Sequence, residues 1–265
     1  MVIYKYSQLP DTKKQPNDLS NICVDHHPYD LKNIGLFFGQ LEFLTIHAKP
    51  DYKIVYVNAA PGYHIAKLTD LFPLCTFDLW DTDHFNIPAR QSIKLYQEKF
   101  TDKSAYNYST QNIKILFISH FDNYQNGMED QARWCRIMKP IRALIKFFIT
   151  DNIFYYLIGT IFLQPYNFFP NQTILSTNDY VTKKYYDIED FRKRINYHNV
   201  YNHCKKIKSN IWETTIKKYN LDNTWDNLIA LRICYNYLKN KNINSKNETG
   251  KLLIDILQYL EVVKN

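Results

Sequence analysis

At 265 residues, with 45% hydrophobic and 16% aromatic content, the chain can bury one substantial core, which excludes disorder over most of its length. A formal charge of +7 and a pI near 8.9 suit a phosphate-bearing partner and equally an ordinary soluble protein. No apolar run reaches the ~20 residues of a membrane span, and five scattered cysteines (Cys23, Cys75, Cys135, Cys204, Cys234) without C-x-x-C spacing exclude a zinc knuckle or disulfide framework.

In chain order, residues 1–28 are polar and interrupted by Pro10, Pro16 and Pro28, and read as an N-terminal arm without a signal-type apolar stretch. A cytosolic location is expected. Residues 29–265 show one composition regime and read as a single domain. Over 31–47, Ile34, Phe37, Phe38, Leu41 and Leu44 recur at helical spacing and predict an amphipathic helix covering a sheet. Residues 55–64 then read as a buried strand whose small-residue turn opens a helix, the arrangement that holds nucleotide-like cofactors. Asn58 stands there where glycine is the easier choice, because the turn brings backbone N–H groups close to a ligand.

Short apolar runs at 54–57, 77–80, 93–96 and 113–119 alternate with helical stretches, which points to an α/β, doubly wound, mostly parallel sheet. A helix over 129–138 carries Arg133 and Arg136 and ends at Lys139-Pro140. Residues 142–149 alternate as a strand with Arg142, Leu144, Lys146 and Phe148 on one side. Residues 150–182 are aromatic and irregular, with room for further strands, and 187–208 read as a basic helix. A helix at 225–239, a polar linker at 240–248 and a closing helix at 251–263 complete the chain. The cluster Asp81-Thr82-Asp83-His84 lacks distant partners at ligand spacing, so no metal is predicted. Ser119 and His120 are neighbours on a strand and face opposite ways, which excludes a nucleophilic dyad.

Four separated motifs carry a family resemblance: Leu36-Phe37-Phe38-Gly39-Gln40-Leu41-Glu42, the Ala60-Pro61-Gly62-Tyr63-His64 turn, Phe117-Ile118-Ser119, and Phe162-Leu163-Gln164-Pro165. A fainter match is Asn196-Tyr197 followed by Lys205-Lys206. In this order they resemble the poxvirus poly(A) polymerase small subunit, a family whose members are also cap-specific mRNA nucleoside 2′-O-methyltransferases. The Asn, Lys, Ile and Tyr excess, the mark of A/T-rich coding, is compatible with an insect poxvirus. The resemblance implies a Rossmann-like, S-adenosylmethionine-dependent methyltransferase fold and a Lys-Asp-Lys-Glu tetrad that tunes one lysine as general base. Carried over by position, the tetrad falls on Gly35, His120, Lys146 and Thr173, so only Lys146 is retained. Lys32, one turn before Gly35, is the one substitute for the first lysine. The cap-binding acid falls on His198.

The resemblance places the cofactor against Tyr56, Asn58, Ala60, Gly62 and Asp81, although Asp83 stands in place of a basic residue; S-adenosylmethionine binding is left open. Asp81 has two readings, a ribose ligand or a cap of the following turn. Phe147, Phe148, Phe168 and Phe169 read either as a base-stacking pair or as core. RNA contact is expected at Arg133, Arg136, Arg142, Lys146, Lys205 and Lys206, with solvated helix faces as the alternative for the basic groups. The implied partners are the polymerase catalytic subunit, RNA and a possible second small subunit, with no membrane, in the host cytoplasm or virion. Two functions follow: a non-catalytic regulatory subunit, or an active 2′-O-methyltransferase with a relocated base.

Overall fold

The computed structural model describes residues 31–121, 127–147, 154–166, 173–187, 189–191, 193–194 and 209–262. The first helix, α1 (Leu31–His47), leads into β1 (Lys53–Val57), α2 (Tyr63–Leu71), β2 (Thr76–Trp80) and β3 (Ile93–Tyr96). There follow α3 (Asp102–Ser109), β4 (Ile115–Ser119), α4 (Gly127–Met138) and β5 (Arg142–Lys146). Short strands β6 (Phe154–Leu157), β7 (Thr160–Phe162), β8 (Ile174–Thr177) and β9 (Lys183–Tyr186) precede α5 (Glu213–Lys218), α6 (Trp225–Asn240) and α7 (Lys246–Val262).

Seven strands form one sheet in the order β3-β2-β1-β4-β5-β8-β7. The first five are parallel, and β8 runs antiparallel to both β5 and β7. This is the doubly wound order, reversing direction of strand addition at β1, with one reversed strand near an edge. β6 and β9 pair separately as an antiparallel ribbon.

Period-two alternation distributes the strands' side chains to two faces. Ile54, Tyr56, Phe77, Leu79, Leu116, Ile118 and Leu144 pack under α1, α2, α6 and α7. Their neighbours Val55, Val57, Phe117, Ala143 and Ile145 face α3, α4 and the ribbon. Both faces are covered, which is why the parallel strands read as unbroken apolar runs.

Several expectations need correction. The stretch 240–248 is shorter as a linker, because α6 includes Asn240 and α7 begins at Lys246, where Ser245 Oγ accepts from Glu248 N at 3.2 Å. The strand expected over 142–149 ends at Lys146, residues 148–149 lying outside the described residues, and that over 113–119 begins at Ile115. Helix α3 was not expected from the sequence; Thr101 and Ser104 build a capping box at its start. The arm at 1–28 and most of the basic helix expected at 187–208 lie outside the described residues. Cys75, Cys135 and Cys234 are buried free thiols.

Candidate functional site

The parallel strands end together. Val57 pairs with Ser119, and Ser119 with Ile145, so Asn58, His120 and Lys146 follow one another along the carboxyl edge of the sheet. His120 N donates to Val57 O at 3.1 Å. Antiparallel β8 starts at that edge: Ile174 pairs with Lys146, and Phe147 N donates to Thr173 O at 2.9 Å. Helix α1 runs against the strands. A Cβ added at Gly39 would lie 2.7 Å from Ile174 Cδ1, near the end of β5, whereas His47 senses Arg142 at the start of β5. Gly35, one turn before Gly39, therefore stands nearer the carboxyl edge. His120, Lys146 and Thr173 lie along that edge, 9%, 2% and 3% exposed. The side chain of Lys32 lies outside what the structure describes.

Position 146 lies beyond the last residue pair with β4, and a side chain takes over. Lys146 N donates to Gln131 Oε1 at 3.0 Å, and Gln131 Nε2 donates to Lys146 O at 3.3 Å. Gln131 on α4 is fully buried. Sequence reasoning missed this clamp. Its one signal is a glutamine on the apolar face shared by Met128, Cys135 and Met138.

The turn after β1 is closed on itself. Asn58 N and Ala59 N both donate to Trp80 O, at 2.9 and 3.3 Å. Ala60 N donates to Asp81 Oδ2 at 2.8 Å, and Asp83 N to Asp81 Oδ1 at 3.0 Å. Asp81 thus performs the capping role, and the donors of residues 58–60 are engaged within the protein. Asn58 has φ 59° and Gly62 φ 86°, left-handed conformations that asparagine tolerates and glycine adopts freely. Tyr56 points to the opposite face: its hydroxyl accepts from Gln40 Nε2 at 2.5 Å and lies 3.3 Å from His64 Nε2. Burial holds the His64 imidazole down at about 4, so it is neutral at pH 7.

A cavity of about 290 Å³ opens at the ends of β1 and β2. Asn58 and Asp81 line it, while Tyr56, Ala60 and Gly62 do not, so the expected cofactor residues divide between the cavity and its supports. Its aromatic walls are Trp80, Phe100, Phe121 and Trp134, and its carboxylates Asp81, Glu98 and Asp130. Trp80 is stacked on Tyr96 at 4.0 Å and donates to the Tyr108 hydroxyl at 3.0 Å. Tyr108 in turn donates to Asp78 at 2.7 Å, and Asp78 pairs with Lys53 at 3.1 Å. Trp80 meets Phe100 edge to face at 88° and Phe100 meets Trp134 at 75°, all three buried, so the groups that could meet the nucleoside half of S-adenosylmethionine are the carboxylates, which accept from ribose hydroxyls, beside Lys99.

Among the described residues, the basic positions do not form one patch. Arg133 bridges Asp102 at 2.9 Å and Asp130 at 2.6 Å, and Arg136 donates to Ala132 O at 3.3 Å. Arg142 donates to Ser176 Oγ at 3.0 Å and Asn178 Oδ1 at 2.9 Å, at the opposite end of β5 from buried Lys146. Lys205, Lys206 and His198 lie outside the described residues, as do Phe148, Phe168 and Phe169. Phe147 is core, against Tyr156, Tyr186 and Phe191. Among the described residues, no three His, Cys, Asp or Glu side chains form a group that could hold a metal ion.

No family model and no curated protein matches the chain. Among solved structures it is similar to bluetongue virus VP4, described as a multifunctional RNA-capping production line, with a TM-score of 0.47 and 12% identity. The likeness covers 59% of this chain and 30% of that one.

Proposed function

We propose that this chain is a methyltransferase-type scaffold without transferase turnover, serving as the regulatory subunit of a viral poly(A) polymerase in the host cytoplasm. It docks on the catalytic subunit and helps hold RNA during tail extension. One observation supports this reading above the others: along the carboxyl edge beside Lys146 stand an imidazole at His120 and a hydroxyl at Thr173, and position 35 carries only a hydrogen. A 2′-hydroxyl needs a base whose pKa is tuned and whose position is held by charged neighbours. With both tetrad carboxylates and the first lysine replaced, loss of ~10²- to 10⁴-fold in rate per missing function leaves no useful turnover.

The decisive experiment extends an RNA primer with the catalytic subunit alone and with this chain added. Longer, more processive tails are expected, unchanged by Lys146→Ala; tails of equal length and processivity reject the reading.

The second reading, an active 2′-O-methyltransferase, is favoured by the aromatic, acid-rimmed cavity at the ends of β1 and β2. S-adenosylmethionine, when bound, would supply the methyl group; Glu98, on the cavity lining, would accept from its ribose hydroxyls. Transfer of labelled methyl to capped RNA that disappears in Lys146→Ala selects this alternative. Calorimetric titration with S-adenosylmethionine separates retained binding from retained chemistry.

A further inference from the structure

The rim of the sheet opposite the site, where the parallel strands begin, carries a row of uncovered aliphatic side chains. Leu74 precedes β2, Ile113 precedes β4 and Ile141 precedes β5; they are 62, 37 and 44% exposed. Val181, 80% exposed, follows antiparallel β8 and so returns to the same rim. The neighbouring Tyr180 hydroxyl donates to Pro140 O at 2.9 Å, which fixes this turn beside Ile141. From β2 to β8 the row crosses four strand spacings, about 19 Å. That is the length of a short helix or strand laid across the rim.

Cations border the row. Lys49, Lys114, Lys139 and Lys241 are exposed along it, and Arg136 ends α4 on the same side. Among the described residues the carboxylates there are Asp51 and Asp179, and Asp179 is occupied by Val181 N and Thr182 N at 3.0 and 2.9 Å. Between Lys49 and Lys241 opens a cavity of about 240 Å³ walled by Leu44, Phe72, Leu74 and Tyr237, large enough for an aliphatic side chain.

We propose that this rim docks a protein segment presenting aliphatic side chains flanked by carboxylates. Single-stranded RNA stacks its bases on aromatic faces, and the row is aliphatic. A second copy would set like charges against each other. An acidic, aliphatic partner satisfies both features of the surface. Identifying that partner with the polymerase catalytic subunit rests on the function proposed above; the chemistry of the surface does not.

The test uses two probes: the polymerase catalytic subunit encoded with this chain, and a fluorescein-labelled helical peptide of leucine and glutamate. The variants are Leu74→Asp with Val181→Asp, and Lys114→Glu with Lys139→Glu, each checked by circular dichroism for an unchanged fold. Both probes should bind wild type, bind more weakly at higher salt, and lose about tenfold or more in affinity to either double variant. If the catalytic subunit binds wild type and variants equally, this proposal is overturned and the function above stands. If only the peptide binds, and does so at this rim, the function above falls and the docking surface stands. Binding of neither probe removes both. Oligouridylate binding lost in the variants, or a wild-type dimer that dissociates in them, assigns the surface to another occupant and overturns the proposal.

Discussion

Glu42 on α1 sits in a setting that resists its charge: burial pushes its carboxyl up to about 7, with Arg232 pulling the other way. The folded value lies above the unfolded one, so the associated stability is fully present below about pH 4.5 and is lost as pH rises through 7. His64 acts in the opposite sense. Its folded value near 4 lies below the unfolded 6.5, so its stability is present above pH 6.5 and drains away as pH falls towards 4. The two slopes offset one another between pH 4.5 and 6.5. Glu42→Gln should therefore match wild type at pH 4.5 and exceed it by about 2 kcal/mol at pH 8, as read by denaturant melts across that range. Equal stability at both pH values would show that Glu42 ionises freely in the fold.

Elements are joined by single polar side chains at places where regular pairing ends. Gln131 extends the sheet by one residue beyond β4, satisfying both backbone groups of Lys146. Gln131→Leu leaves those groups buried without that partner and should cost about 1–3 kcal/mol. Hydrogen exchange should then rise selectively at the Lys146 amide, a local signature that a general loss of packing would not produce. Close backbone approach has the same local character. At Gly39 even one methyl group meets Ile174 Cδ1 at 2.7 Å and Gln164 Nε2 at 2.9 Å, so α1 lies tight against β8 and the segment that follows β7 there. The same glycine reads in the sequence only as a member of a resembling motif, since nothing local reveals what a helix will cross. Helix α3 was missed for a related reason: its polar, tyrosine-bearing sequence has no long apolar stripe, and its stability comes from the Thr101 box and from contact with α4 through Asp102, Arg133 and Trp134.

Across the whole molecule, the two apolar cores share one sheet, and adjacent residues such as Leu116 and Phe117 belong to different cores. Neither core can open without exposing the back of the other. Scanning calorimetry should accordingly show one cooperative transition with equal calorimetric and van't Hoff enthalpies; two separable transitions would divide what was read as a single domain. The sheet separates its two rims as well. Buried His120 and Lys146 and the aromatic cavity lie along the carboxyl edge, whereas the aliphatic row with its cations lies where the strands begin.

The alternation of apolar runs with helical stretches was enough to specify the α/β class, the β1 turn and the parallel strands up to β5, because burial on two faces writes itself into short-range pattern. The tetrad assignment to Gly35, His120, Lys146 and Thr173 rests on the family resemblance alone. That His120, Lys146 and Thr173 lie along one edge, that Asp81 is engaged by Ala60 and Asp83, and that Gln131 holds Lys146 were decided only in three dimensions. Pattern records which side of its own element a residue faces. Which hydrogen-bonding group from 15 or 21 positions away arrives to meet it depends on strand order and helix placement, and these are settled by the packing of the whole chain.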